Sequence, residues 1–137
     1  MELPATPHFV LETTTRWSDE DNQGVLNNAV YMTLFEEARL AFCRMAGVLE
    51  DNRFPFLLAE TTVRFKRPGR GGASVRVELN TLEIGKSSFH QGYRVRSEDG
   101  EVWAEAKAVL VCYDAATGES RPIPEDLRDA LEAMSMD

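Results

Sequence analysis

The sequence predicts an α+β domain, an antiparallel sheet with one long apolar helix on one face. Three observations predict it. From Asn28 onward, apolar residues recur at steps of three or four, whereas most of the rest alternates at two or runs in short β-rich segments. The segments after that helix are joined by turns too short for parallel crossovers. Finally, 137 residues with a hydrophobic fraction of 43% suit one core and leave no room for a second ordinary domain.

The elements follow in order. Phe9 to Trp17, rich in Thr, Val and Phe, reads as a first strand. Ser18 to Gly24 is a loop by composition. The helix is expected from Asn28 to Ala46, with Val30, Leu34, Ala38, Ala41, Phe42 and Met45 on one stripe and Phe35 widening it. Glu36, Glu37, Arg39 and Arg44 are placed off the stripe, as a solvated face. Asn27 or Asn28 suits the N-cap, because an amide oxygen accepts from the free first-turn N–H groups, and Gly47 is the expected stop. Strands are then expected at Leu57–Lys66, Ala73–Glu83, Ser88–Ser97 and Val102–Tyr113. The last is apolar on both faces over its upper half, which suits a central, covered position. A short helix from about Pro124 to Met134 closes a single domain over 1–137, with its core at about 9–114.

Charge and composition narrow the partners. Fifteen Lys and Arg stand against 23 Asp and Glu, a net charge of −8 that disfavours nucleic acid. The segment from Arg64 to Arg70 nevertheless carries four positive charges and no negative one, a candidate site for a small anionic group. Cys43 and Cys112 fall in apolar surroundings and read as buried thiols. With only His8 and His90 and no close Cys/His spacing, no metal site is expected. The apolar runs Phe54–Ala59 and Ala108–Tyr113 are far shorter than the ~20 residues of a membrane span. No basic-then-apolar leader opens the chain, so a soluble cytoplasmic protein with no membrane partner is expected.

Several enzyme classes lack their motifs here: there is no Gly-x-Ser-x-Gly elbow, no P-loop and no Gly-rich dinucleotide fingerprint. What stands out is Asp19-Glu20-Asp21, just upstream of the helix start. The unpaired N–H groups of a helix N-terminus polarise a carbonyl or hold an oxyanion. A carboxylate facing such a carbonyl acts as nucleophile or as general base towards water. Asp21 is the candidate.

The run Arg16-Trp17-Ser18-Asp19-Glu20-Asp21-Asn22-Gln23-Gly24-Val25-Leu26-Asn27-Asn28-Ala29-Val30-Tyr31, leading into Phe35-Glu36-Glu37-Ala38-Arg39, resembles the signature of the hotdog-fold acyl-CoA thioesterases of the 4-hydroxybenzoyl-CoA type. Gly85-Lys86-Ser87-Ser88-Phe89 resembles that family's strand start near the CoA phosphates. The resemblance covers roughly residues 9 to 114. It implies a curled antiparallel sheet wrapped around the helix, and homodimers joined edge to edge, often paired into homotetramers, with active sites at the dimer interface. It implies hydrolysis of an acyl-CoA, with no cofactor apart from the CoA carried by the substrate. By the same resemblance, Asp21 matches the catalytic carboxylate and the backbone N–H of Asn28 the carbonyl-polarising donor. Gly24 allows the loop to approach substrate, and Asn27 and Tyr31 are polar or aromatic candidates at the substrate. Lys86, Ser87 and Ser88, helped by Arg67 or Arg70, are candidates for the nucleotide phosphates.

One departure is plain. Many fatty-acyl relatives carry Gly-His-Val after the loop, where this chain has Gly24-Val25-Leu26, so a mechanism needing that histidine is excluded. The acyl pocket is expected to draw on Trp17, Tyr31, Phe35, Phe54 or Phe56. Two other readings stay open: a non-catalytic hotdog protein that binds acyl-CoA or an acyl-carrier protein, and a ligand-free structural domain.

Overall fold

Residues 2–135 are described, in a computed structural model, as β1 (Phe9–Thr14), α1 (Asn28–Ala46), β2 (Phe56–Phe65), β3 (Ser74–Ile84), β4 (Ser88–Ser97), β5 (Val102–Cys112) and α2 (Glu125–Ser135). All five strands pair antiparallel in the order β1-β3-β4-β5-β2. The last strand in sequence therefore lies inside the sheet, as its two apolar faces required, and β2 is left at an edge.

Three ring contacts trace the course of α1 across the inner face. Tyr31 meets Phe65 of β2 edge-on, Phe35 stacks on Tyr93 of β4, and Phe42 meets Phe9 of β1 edge-on, at centroid distances of 5.3, 5.0 and 5.9 Å. Successive turns of the helix thus cross from one edge of the sheet to the other. Beneath and around them Val75, Val77, Leu79, Val95 and the small Ala104, Ala106 and Ala108 are buried. The Asn27 side chain caps the helix, accepting from the Ala29 N–H at 2.9 Å, and Gly47 ends it. On α2, Leu127 and Leu131 are fully buried, and that helix packs on β3.

The outer face holds charge under cover. Arg94 bridges Glu78 at 3.3 Å and Glu105 at 3.1 Å, and Arg96 reaches Glu78 at 2.9 Å. The N-terminal segment lies over this cluster: the Pro4 carbonyl accepts from Arg94, the Thr6 carbonyl accepts from Asn80, and Leu3 presses on Gly92.

Two expectations need correction. The first strand ends at Thr14 rather than Trp17, and residues Trp17–Asp19 form a 3-10 turn. The cause is Asp19, whose carboxylate accepts the Arg16 backbone N–H at 2.8 Å and the Arg16 guanidinium at 2.9 and 3.2 Å. That pull bends the chain out of the sheet. Arg39 is not on a solvated face but is buried, with 6% of its surface exposed. Its guanidinium lies 5.5 Å from the centroid of the Tyr93 ring and donates to the Tyr93 hydroxyl at 3.0 Å. That hydroxyl in turn donates to Gln91 at 2.6 Å. A long side chain with an aromatic face and an acceptor within reach tolerates burial. Glu36, Glu37 and Arg44 are exposed, and Cys43 and Cys112 are buried.

Burial pushes the Tyr31 and Tyr93 hydroxyls and the Cys43 thiol up to about 12, and the Cys112 thiol to about 11. Unfolded, these groups ionise near 10 for tyrosine and 9 for cysteine. The folded state therefore holds more protons between pH 9 and 12, so their stabilising contribution is complete below pH 9 and is lost as pH rises through that window. Denaturant midpoints measured from pH 8 to 11 are expected to fall. Tyr93→Phe, which leaves Arg39 and Gln91 without their partner, is expected to cost about 1–3 kcal/mol at pH 7 and to show a shallower alkaline decline.

Candidate active site

The loop before α1 is shaped by its own polar side chains. Asp21 Oδ1 accepts the Gln23 N–H at 2.8 Å, an Asx turn that starts the reversal. The Gly24 N–H returns to the Asp21 carbonyl and the Asp21 N–H to the Val25 carbonyl. Gly24 closes the reversal at φ +74°, a left-handed conformation that favours glycine. The Asp19 carboxyl is held below its usual range, first by the Arg16 backbone N–H and then by the Arg16 side chain, against the opposing effect of burial. Asp19 is thus a structural anion. Asp21, two residues on, is partly open to solvent.

From this loop the chain enters α1 through the Asn27 cap. Asn28, the first helical residue, has no partner for its N–H within the helix and stands at the positive end of the helix dipole.

A second turn, Pro68–Gly72, packs against this loop. The Gly69 carbonyl accepts the Leu26 N–H at 3.0 Å, and the Tyr31 hydroxyl lies beside Gly69. A Cβ at Gly69 would lie 2.6 Å from Tyr31 Oη and 2.7 Å from Trp103 Cε3, so the turn sits as close as it does only because the residue is glycine. Between loop, helix start and turn opens a cleft of about 350 Å³, with Gln23, Val25, Asn28, Tyr31, Phe65 and Arg67 among its walls.

The structure sorts the candidates. Asn28, Tyr31 and Arg67 share the cleft, and Asp21, Gly24 and Asn27 belong to the segment that leads into it but lie outside its lining. Arg67 also pairs with Glu101 at 3.6 Å, and Lys66 approaches Glu105 at 3.8 Å. Arg70 donates to the Gly24 carbonyl at 2.7 Å. Lys86, Ser87 and Ser88 are not brought to this cleft within one chain. They occupy the β3–β4 turn, at the end of the sheet where β2 begins, whereas Phe65 ends β2 at the cleft. Ten strand residues separate the two ends, roughly 30 Å. There the Arg128 guanidinium holds the Gly85 carbonyl at 2.7 Å, and the Ile123 N–H donates to the Lys86 carbonyl.

Of the five aromatic candidates for an acyl pocket, only Tyr31 reaches the cleft. Trp17 is 82% exposed, Phe35 lies in the core, and Phe54 stacks on Phe56 at the far end of β2. Phe65, which sequence reasoning missed, takes a wall of the cleft. Its place in the sequence, one residue after Arg64 at the end of an expected strand, gives no sign of this, because only the crossing of α1 brings it to Tyr31. Among the described residues, no group of three or more His, Cys, Asp or Glu side chains stands where it could hold a metal ion.

The model of the thioesterase-like superfamily matches residues 15–131. This chain belongs to the thioesterase-like superfamily. The 1,4-dihydroxy-2-naphthoyl-CoA hydrolase of Synechococcus elongatus is 26% identical over 132 residues, covering 90% of this chain and 95% of that one. The acyl-CoA thioester hydrolase YbgC of Escherichia coli O157:H7 is 23% identical over 115 residues, 81% of this chain and 86% of its own. Among solved structures, a thioesterase from Thermus thermophilus, complexed with coenzyme A and Zn, aligns over 96% of this chain and 97% of its own at 29% identity and a TM-score of 0.83. These likenesses agree with the hotdog architecture that the loop motif implied, and no helix among the described residues is long and apolar enough to cross a membrane.

Because the Gly69 contacts set the height of the cleft wall, Gly69→Ala is expected to force Tyr31 or Trp103 aside. The expected cost is about 1–3 kcal/mol, read as a lowered Tm.

Proposed function

We propose that this thioester hydrolase cleaves an acyl-CoA to a free carboxylic acid and CoA, using Asp21 and the N-terminus of α1. The observation that carries the reading is the position of Asn28: it opens α1 in the wall of the cleft, directly after the loop that holds Asp21. The thioester carbonyl oxygen sits on the Asn28 N–H, where the helix dipole favours the negative charge that develops as the carbonyl is attacked. Asp21 attacks the carbonyl carbon and expels the CoA thiolate, leaving an acyl anhydride that water hydrolyses. In the alternative, Asp21 takes the proton from a water that attacks directly. Either route consumes one water and releases one acid and one thiol. Nothing in it calls for a histidine at position 25.

The active unit in this reading is a homodimer. Among the described residues β2 is an edge strand of ten residues, open on the side away from β5, that exposes Leu57, Leu58 and Phe65, and an open apolar edge of that length invites a second strand. Antiparallel pairing of two β2 edges sets the Lys86–Ser88 turn of one copy on the side of the cleft of the other. The turn's cation and hydroxyls then suit the CoA phosphates, with Arg67 at the cleft itself. The same chemistry explains why an acidic chain keeps a basic segment beside its helix start. The site lies in a chain with no membrane-spanning helix among its described residues, which suits a cytoplasmic substrate.

Thiol release from aromatic and aliphatic acyl-CoAs tests the activity. Asp21→Asn is expected to lower kcat by about 10²–10⁴ in a folded protein. Asn28→Pro is the sharper probe, since proline at the first helical position keeps the helix but deletes the N–H, and Asn27 at φ −61° and ψ 136° already has a backbone that accepts a following proline. Its expected cost is about 10²–10³ in kcat. Binding of acyl-CoA without thiol release would instead favour a carrier, and retention of full activity by Asp21→Asn would remove Asp21 from its role.

A further inference from the structure

Two side chains tie the loop and the turn to each other in opposite directions. From the loop, Glu20 Oε2 accepts the Gly71 N–H at 2.9 Å. From the turn, Arg70 Nη1 donates to the Gly24 carbonyl at 2.7 Å. In the sequence, Asp21 lies between the two loop residues so held, Glu20 and Gly24. Neighbouring contacts close the same seam: the Thr15 hydroxyl donates to the Arg70 carbonyl at 2.7 Å, and the Gly72 N–H donates to the Thr15 carbonyl at 3.0 Å. Gly71 also packs so tightly on the Arg16 carbonyl and Trp17 Cα that a Cβ has no space there.

We infer that Glu20 and Arg70 are positioning residues, a reciprocal clasp that sets the Asp21–Gly24 loop against the helix start. Three features argue for this role over the phosphate-binding role that the charge of Arg70 first suggested. The guanidinium is committed to a carbonyl of the loop, and a hydrogen bond from a charged donor to a carbonyl is stronger than a neutral one. Glu20 is half-buried and spends its oxygen on a backbone N–H 51 positions away, a use for which loop solvation offers no reason. Both bonds flank the Asp21–Gly24 reversal, whose other bonds are local. Catalysis by a carboxylate depends on a near-attack geometry, and displacement by about 1 Å is enough to cost rate.

The inference rests on the thioesterase reading, and its test separates the two. Arg70→Met, Arg70→Lys, Glu20→Ala and Glu20→Gln are compared with the parent on one acyl group, presented both as its CoA thioester and as its N-acetylcysteamine thioester, which has no phosphate. A clasp predicts that Arg70→Met and Glu20→Ala lower kcat roughly tenfold on both substrates with KM little changed. Lysine, still a cationic donor, and glutamine, still an acceptor, should recover most of that loss. Amide hydrogen exchange at residues 21–26 and 69–72 should quicken in Arg70→Met and Glu20→Ala alone. A loss confined to the CoA thioester and expressed in KM would make Arg70 a phosphate ligand and overturn the clasp. Unchanged exchange would overturn it as well, as would faster exchange with unchanged kinetics. If the parent released thiol from neither substrate, the thioesterase reading would fall, and the exchange measurement would still decide whether the two side chains hold the loop.

Discussion

The close approach of the Pro68–Gly72 turn to the loop before α1 is the constraint on which the rest of the site depends. Without a side chain at position 69, the backbone comes near enough for Leu26 to bond to its carbonyl and for the Tyr31 hydroxyl to occupy the space a Cβ would need. That contact joins the end of β2, the start of α1 and the loop into one wall. The cleft, the exposed end of the helix dipole and the place of Asp21 relative to both are consequences of it. A larger residue would meet Tyr31, Trp103 and Leu26 at once.

The same economy governs charge. On the outer face, Glu78 and Arg94 are buried and Glu105 and Arg96 partly covered, so desolvation offsets much of their attraction and their value lies in a fixed geometry more than in net stability. They hold three neighbouring strands in register and give the N-terminal segment polar groups to bind. On the inner face, among the described residues Arg39 hydrogen-bonds Tyr93, and its burial is compensated by the ring and the hydroxyl of that one side chain. At the cleft the basic residues stay near the surface. Lys66 and Arg67 have acidic neighbours at 3.8 and 3.6 Å, and the Arg67–Glu101 pair is exposed on both sides, of the kind that is weak and easily exchanged for a ligand's charge.

The edge strand adds a further dependence. Among the described residues, β2 pairs with β5 on one side and ends the sheet on the other. The cleft and the Lys86–Ser88 turn lie at opposite ends of the sheet, so one chain alone cannot present both to a single ligand. In the proposed dimer, an antiparallel second copy at β2 is what would bring the two ends together.

Much of the fold was legible from residue order alone. Alternation and helical periodicity are local properties, set by backbone sterics and by which side of each element must leave water. For that reason every strand after α1, and α1 itself, lies within a residue or two of its expected span. The Asp-x-Asp-x-x-Gly loop was legible as well, since an Asx turn and a left-handed glycine act over four residues. Other features depend on which distant segments meet, and no local rule encodes that. The first strand stops early because Asp19 captures Arg16. Arg39 is buried because Tyr93, 54 positions away, lies beneath it. Phe65 reaches the cleft because α1 crosses the sheet obliquely, and Glu20 and Arg70 meet the backbone of each other's segments only once the turn has docked. Local chemistry determined the elements and the reactive loop, while packing between remote segments decided which side chains surround it.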